Sequence, residues 1–196
     1  MFNKGIMDKM RFGKYLFMLV IVFLVACSDK IDSNMSEPMV DFEFITQDEE
    51  KLSSYDLEGN WWIANFMYTN CTMICPRTTA NLIDVQQELK DSGLTPQIVS
   101  FSVDPSHDTP EVLKDYAKEY GVDMETWDFL TGYDFTTIQE ISEGTFKTTL
   151  KEGAMEQRSH DFGFYLIAPD GEIVKKYDGM NFDELDMIME DVKRVL

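Results

Sequence analysis

The sequence predicts an α/β fold: a central mixed, mostly parallel sheet with helices on both faces, closed by a C-terminal β-hairpin plus helix. Three observations carry it. Residues 61–68 (WWIANFMY) are almost continuously apolar, as in a strand covered on both faces. Strand-like and helix-like periods alternate after that run. Residues 168–171 (APDG) separate two further strand-like runs, a strong hairpin signal.

Residues 40–44 (VDFEF) alternate apolar and polar, which predicts a half-buried strand. The central strand, 61–68, runs directly into Thr69-Asn70-Cys71-Thr72-Met73-Ile74-Cys75-Pro76. Pro76 fits the first turn of a helix whose buried face carries Leu82, Val85 and Leu89. Residues 97–103 (QIVSFSV) form the next strand, ended by Asp104-Pro105. Thr109-Pro110-Glu111 starts a helix with a buried stripe of Val112, Leu113, Tyr116, Ala117 and Tyr120. Residues 127–130 give a short strand and 135–142 a helix. The hairpin strands are 162–167 and 172–177, and the last helix begins at Asn181, with Glu184 spaced for a capping box. Phe182, Leu185, Ile188, Val192 and Val195 keep its helical period. A cysteine pair where the central strand meets its helix makes this a thioredoxin-like pattern.

The 196 residues suit one domain. Lys9, Arg11 and Lys14 precede an uncharged run of 12 residues, 15–26 (YLFMLVIVFLVA). That is short for a transmembrane helix and right for the apolar part of a signal peptide. Leu24-Val25-Ala26-Cys27 resembles a bacterial lipobox, with cleavage before Cys27 and lipidation of its sulfur. The alternative is an ordinary N-terminal anchor with an incidental cysteine. Both put the remainder outside the cytoplasm, at a cell membrane. The expected organisation is a lipoprotein signal peptide (1–26), a lipidated flexible tether (27–39) and a folded domain (40–196). Net charge is −19; removing residues 1–26 takes away four basic side chains and one acid, leaving −22. Nucleic acid and anionic lipid are poor partners for such a surface.

With Cys27 assigned to lipid, Cys71 and Cys75 remain. One close pair does little for chain entropy, so its purpose is chemical. Ligands in open α/β sheets bind beyond the carboxyl ends of the strands, where this pair lies. A helix N-terminus at Cys75 favours negative charge and is expected to depress its thiol pKa. Spacing i, i+4 puts both sulfurs on one side, able to share an ion or form a disulfide. The chain has two histidines. His160 stands just before the hairpin that runs beside the cysteine loop in this topology. Two thiolates and one imidazole suit copper: sulfur holds Cu(I), and nitrogen suits Cu(II). A four-ligand zinc site would also need His107, which reads as a solvated turn residue. Met73 reads as filling a gap rather than as a thioether ligand.

Three stretches then resemble the Sco/SenC family of copper proteins, which assemble the binuclear copper site of cytochrome c oxidase. They are Cys71-Thr-Met-Ile-Cys75-Pro76, then Ser102-Val103-Asp104-Pro105-Ser-His-Asp108-Thr109-Pro110, then His160 ahead of Tyr165-Leu166-Ile167-Ala168-Pro169-Asp170-Gly171. The resemblance implies that Cys71 and Cys75 are copper-binding and redox cysteines and that His160 is the third ligand. Asp104 and Asp108 match the family's Asp-x-x-x-Asp segment and would tune or position the site from behind the ligands. Alternatively, Asp104 only ends a strand and Asp108 only caps a helix. Implied partners are the oxidase copper-site subunit, a copper donor protein or thiol reductant, and the membrane through the lipid anchor. The segment before His160 lacks a stiffening proline and reads as a mobile loop.

Rival readings use the same thiols. A thiol–disulfide oxidoreductase of the usual kind has Cys-x-x-Cys and an opposing proline; here three residues intervene and Ser159-His160-Asp161 takes the proline's place. Thr72-Met73-Ile74-Cys75 has the Thr-x-x-Cys form of thiol peroxidases, but Tyr68 stands where their proline belongs. An interaction module with a structural disulfide explains least.

Overall fold

The computed structural model describes residues 31–152, 158–159 and 161–196. Residues 1–26, read as a signal peptide, together with Cys27 and His160, lie outside the described residues. Among the described residues, no helix is long and apolar enough to cross a membrane.

In chain order the strands are β1 (Glu37–Pro38), β2 (Glu43–Thr46), β3 (Lys51–Ser53), β4 (Trp62–Met67), β5 (Gln97–Ser102), β6 (Trp127–Thr131), β7 (Lys151–Glu152), β8 (Arg158–Ser159), β9 (Gly163–Ile167) and β10 (Glu172–Asp178). The helices are α1 (Ser54–Leu57), α2 (Cys75–Asp91), α3 (Pro110–Tyr120), α4 (Phe135–Gly144) and α5 (Phe182–Val195). Eight strands form one sheet in the order β1-β10-β9-β4-β5-β6-β2-β3.

The sheet is mixed, but the expected excess of parallel pairing is corrected. Among the described residues only β4–β5 and β5–β6 run parallel; the other five pairings are antiparallel. The two parallel pairs are the βαβ crossovers through α2 and α3, where helical connections allow them. β9 instead enters antiparallel beside β4, with Tyr165 opposite Ala64, and the hairpin carries β10 back outside it. On the other edge β2 pairs antiparallel with β6 and turns back into β3. The sheet also reaches into residues read as tether. Glu37–Pro38 pair with β10, and the Asn34 side chain bonds both backbone groups of Lys176. Pro38 is tolerated there because β1 is an edge strand.

The central strand explains the layers. Every residue of β4 is buried, so alternate side chains serve opposite faces. On one face Phe66 and Phe101, paired in register, meet Phe146 at ring-centroid distances of 5.0 and 6.0 Å. Phe42 packs on Phe101 from the α4 side. On the other face Ser100 donates to Asn65 (2.6 Å) and accepts from the Trp127 indole (2.8 Å). Tyr116 of α3 packs edge-on against Phe129 there. Thr79 and Tyr116 share a 2.7 Å hydrogen bond, which brings α2 to the same face.

Glycine C-caps α3 in the left-handed region (Gly121, φ 72°), and Thr109 caps its N-terminus through Val112. At α5, Asn181 caps through Asp183, while Glu184 accepts from the Asp178 amide (2.6 Å) and from the Asn181 side-chain amide (3.4 Å). The segment before His160 carries short order: Lys151 and Glu152 pair antiparallel with Ser159 and Arg158.

Candidate metal centre

The dithiol sits where β4 ends and α2 begins. Tyr68 accepts a bond from the Cys71 amide (3.3 Å), closing a turn directly after the strand. Cys75 is the first residue of α2 and Pro76 follows in its first turn, where a missing N–H costs nothing. The capping residue, Ile74, has no side chain able to cap. The Cys71 sulfur does that work: it accepts from the Cys75 amide at 3.3 Å. Cys71 is half-buried, Cys75 is fully buried, and both carry thiols.

The expectation of a depressed Cys75 pKa is overturned. A hydrogen bond to Cys71, then burial, pushes the Cys75 thiol far above its ordinary range, although a bond to Tyr68 opposes this. Desolvation of a thiolate outweighs the helix terminus here. Met73 is 70% exposed, so it does not fill a gap, and His107 is exposed as its turn position implies.

Behind the cysteines lies Asp108, fully buried. Its carboxylate accepts from the Thr69 hydroxyl (2.5 Å) and the Thr69 amide (3.3 Å), two residues before Cys71. It also accepts from the Ser102 hydroxyl at the end of β5 (2.5 Å). Burial raises its pKa, against the lowering effect of the Ser102 and Thr69 bonds. Asp104 shapes the turn that delivers it: its carbonyl accepts from the amides of His107 and Asp108, both at 2.9 Å, and its carboxylate from Ser106 (3.0 Å). Asp108 does not cap α3; Thr109 does. Thr69 and Tyr116 escaped the sequence reading. Thr69 shows only the weak signal of a polar residue just ahead of Cys71. Tyr116 reads as core, yet its hydroxyl shares a hydrogen bond with Thr79, one helical turn after Cys75.

The structure thus brings Cys71, Cys75, Asp104 and Asp108 to one end of the central strands. No group of three or more His, Cys, Asp or Glu side chains able to hold a metal occurs among the described residues. Asp161, the residue after His160, is held at the start of β9 beside β4.

A dithiol on the strand–helix junction of such a sheet, flanked by an antiparallel hairpin, defines a thioredoxin-like protein. The SCO1/SenC family model matches residues 32–196, and the chain belongs to that family. Solved structures agree. A SCO1/SenC family lipoprotein from Bacillus anthracis aligns with a TM-score of 0.79 at 35% identity, over 87% of this chain and 99% of its own. BsSco, in which a disulfide switch is identified, is a member of the Sco family of cytochrome c oxidase assembly proteins. It aligns with a TM-score of 0.77 at 39% identity, over 84% and 96%. ScoI of Arabidopsis thaliana, solved with copper bound, gives 0.68 at 26% identity, over 80% and 96%.

Proposed function

We propose that this chain is a membrane-anchored copper carrier that binds one copper ion through Cys71, Cys75 and His160. It passes the ion to the copper-site subunit of cytochrome c oxidase. The observation that carries this reading is the Cys71 sulfur 3.3 Å from the Cys75 amide, with one half-buried and one buried thiol at the end of β4. That donor set fits copper, since two sulfurs at one helix terminus suit Cu(I) and an imidazole adds affinity for Cu(II). A copper-bound relative of the same fold supports it.

In this reading Cys27 carries the lipid anchor at the extracytoplasmic face; the lipoprotein relative is consistent with that. A copper donor protein or a thiol reductant loads the site. Three ligands leave room for an incoming thiolate, so copper moves by ligand exchange without a free ion. Oxidation joins the two sulfurs, releases two electrons and two protons to an acceptor disulfide, and removes two of three donors. The Asp108–Thr69–Ser102 clamp holds the loop that bears Cys71.

The same pair supports a second reading, reduction of the oxidase copper-site cysteines by thiol–disulfide exchange, because the two thiols adjoin. A thiol peroxidase is disfavoured: Tyr68 stands where the proline of such sites belongs.

One equivalent of Cu(II) added to the reduced protein separates these. Intense sulfur-to-copper charge transfer with nitrogen coupling in spin resonance, lost in Cys71→Ser and in His160→Ala, is the expected result. Rapid thiol oxidation with no bound copper, and full reductase activity in His160→Ala, would move the assignment to the oxidoreductase.

A further inference from the structure

Met73 is 70% exposed, and no large apolar side chain among the described residues is more so. It is the middle residue of Thr72-Met73-Ile74, the link between the two thiols, and both ends of that link are pinned. The Cys71 amide donates to the Tyr68 carbonyl (3.3 Å), and the Cys75 amide donates to the Cys71 sulfur (3.3 Å). The Thr78 hydroxyl donates to the Cys75 carbonyl (3.1 Å), which steadies the first turn of α2. Consecutive Cα atoms are about 3.8 Å apart, so the Met73 Cα lies within about 7.6 Å of the Cα of either cysteine. Exposure of a single apolar side chain is ordinary. What sets Met73 apart is its sulfur and its place between two thiols.

A thioether is a soft ligand suited to Cu(I), and it has no proton to lose on binding, whereas a cysteine binds metal as the thiolate. The methionine side chain is unbranched and flexible, and exposure leaves most of it free to turn. Cys75 is fully buried and Cys71 half-buried, so an ion arriving from solvent reaches the pair past Cys71. We propose that Met73 is a copper-binding residue of the entry path: its thioether captures Cu(I) at the surface and hands it to Cys71 and Cys75. The proposal rests on the copper reading above. In the first step the Met73 sulfur donates a lone pair to Cu(I) as one bond to the delivering ligand breaks. The Cys71 sulfur then bonds the ion and gives its proton to water. Cys75 follows in the same way as the bond to Met73 breaks. Copper stays Cu(I) throughout, and no electron is transferred.

The test loads the reduced full chain with Cu(I), supplied without oxygen as its bicinchoninate complex, and follows loss of the complex's colour by stopped flow. Met73→Leu keeps the exposed apolar bulk and removes the sulfur. It should load about tenfold more slowly than the unaltered chain, while affinity at equilibrium, set by the two cysteines, changes little. Met187→Leu, at the other exposed methionine among the described residues, should load at the unaltered rate. A selenomethionine-labelled chain frozen during loading should show a copper neighbour at the selenium X-ray edge, and Met73→Leu should abolish it. Loading of Met73→Leu at the unaltered rate would overturn the proposal, as would a copper–selenium signal that survives the substitution. Slow loading in Met73→Ala but not in Met73→Leu would make Met73 an apolar contact rather than a ligand, and would overturn it too. An unaltered chain that takes up no Cu(I) would refute the copper reading and this inference with it. Uptake that is indifferent to Met73 would refute this inference alone.

Discussion

The sulfur of Cys71 accepts the backbone hydrogen of Cys75 at 3.3 Å, so one side chain is both a thiol of the site and the cap of the helix carrying the other thiol. Site and scaffold are coupled at that contact. Cys71→Ala should lower stability by about 0.5–1 kcal/mol, the range of a lost helix cap, whereas Cys71→Ser keeps an acceptor and should lose less. Denaturant unfolding under reducing conditions measures both. Equal stability in the two variants would mean that the sulfur contributes no cap.

Unequal burial of the two thiols predicts unequal reactivity. Cys75 is 0% exposed and its thiol pKa is raised by the bond to Cys71 and by burial, whereas Cys71 is half-buried. An alkylating reagent at neutral pH should modify Cys71 first and Cys75 only slowly, because the thiolate is the nucleophile. Peptide mass spectrometry over time reads the order directly. Labelling of both at one rate would contradict the buried position of Cys75.

These two points separate what the sequence makes legible from what it does not. The run 61–68, the cysteine pair after it and the Ala168-Pro169-Asp170-Gly171 turn locate the central strand, the site and the hairpin, because each depends on local composition. The direction of β9 against β4 does not: a strand reads the same either way along the chain, so the sheet looked more parallel than it is. β1 and β3, of two and three residues, are too short to show a period. The Cys75 pKa was misread because spacing reveals a helix terminus but not the depth of the thiol beneath Cys71. The bond from Thr69 to Asp108 joins residues 39 apart, a separation that no local pattern encodes.

Asp108 should govern both the loop and a pH response. Asp108→Ala leaves the Thr69 amide, the Thr69 hydroxyl and the Ser102 hydroxyl without their acceptor, at a cost of about 2–4 kcal/mol. Asp108→Asn keeps one acceptor oxygen and should cost less. Burial raises the folded-state pKa of Asp108 above its unfolded value. Its contribution is therefore fully present below the unfolded value, about pH 4, and is lost as pH rises through the folded value. Stability of the unaltered chain minus that of Asp108→Asn should thus fall from acid to neutral pH. A difference that rose with pH would show that the hydrogen bonds, not burial, dominate.

Far from the cysteines, Lys175 and Asp191 form a buried ion pair at 2.7 Å, with side chains 11% and 6% exposed. The Tyr177 hydroxyl donates to the same carboxylate at 2.8 Å, tying β10 to α5. Removing one partner strands a buried charge, so Asp191→Ala should destabilise by about 3–5 kcal/mol. Arg194 also reaches the Asp191 carboxylate, at 3.4 Å, from a more exposed position; the double change Lys175→Met with Asp191→Leu removes the two buried charges and should cost less than Asp191→Ala alone. Unfolding of the three variants tests this, and cysteine labelling rates should stay unchanged in all of them. A double variant worse than the single one would show that the pair is net stabilising.

Gly179 offers a way to disturb the junction of β9 with the cysteine helix without touching a titratable group. Its amide donates to the Phe162 carbonyl (3.1 Å), and its own carbonyl accepts from Asn81 of α2 (2.7 Å). It therefore joins the start of β9, the loop before α5 and the cysteine helix. A Cβ at this position would overlap the Phe162 carbonyl oxygen and lie 2.9 Å from the Phe164 ring. Both neighbours are poorly able to yield: one is backbone, and Phe164 is fully buried. Gly179→Ala should therefore cost about 1–3 kcal/mol, as overpacking does. The strain falls on Phe162, next to Asp161, so hydrogen exchange at the start of β9 should rise more than exchange in β5 or β6. A uniform rise across the sheet would mean that the substitution loosens the whole fold rather than this junction.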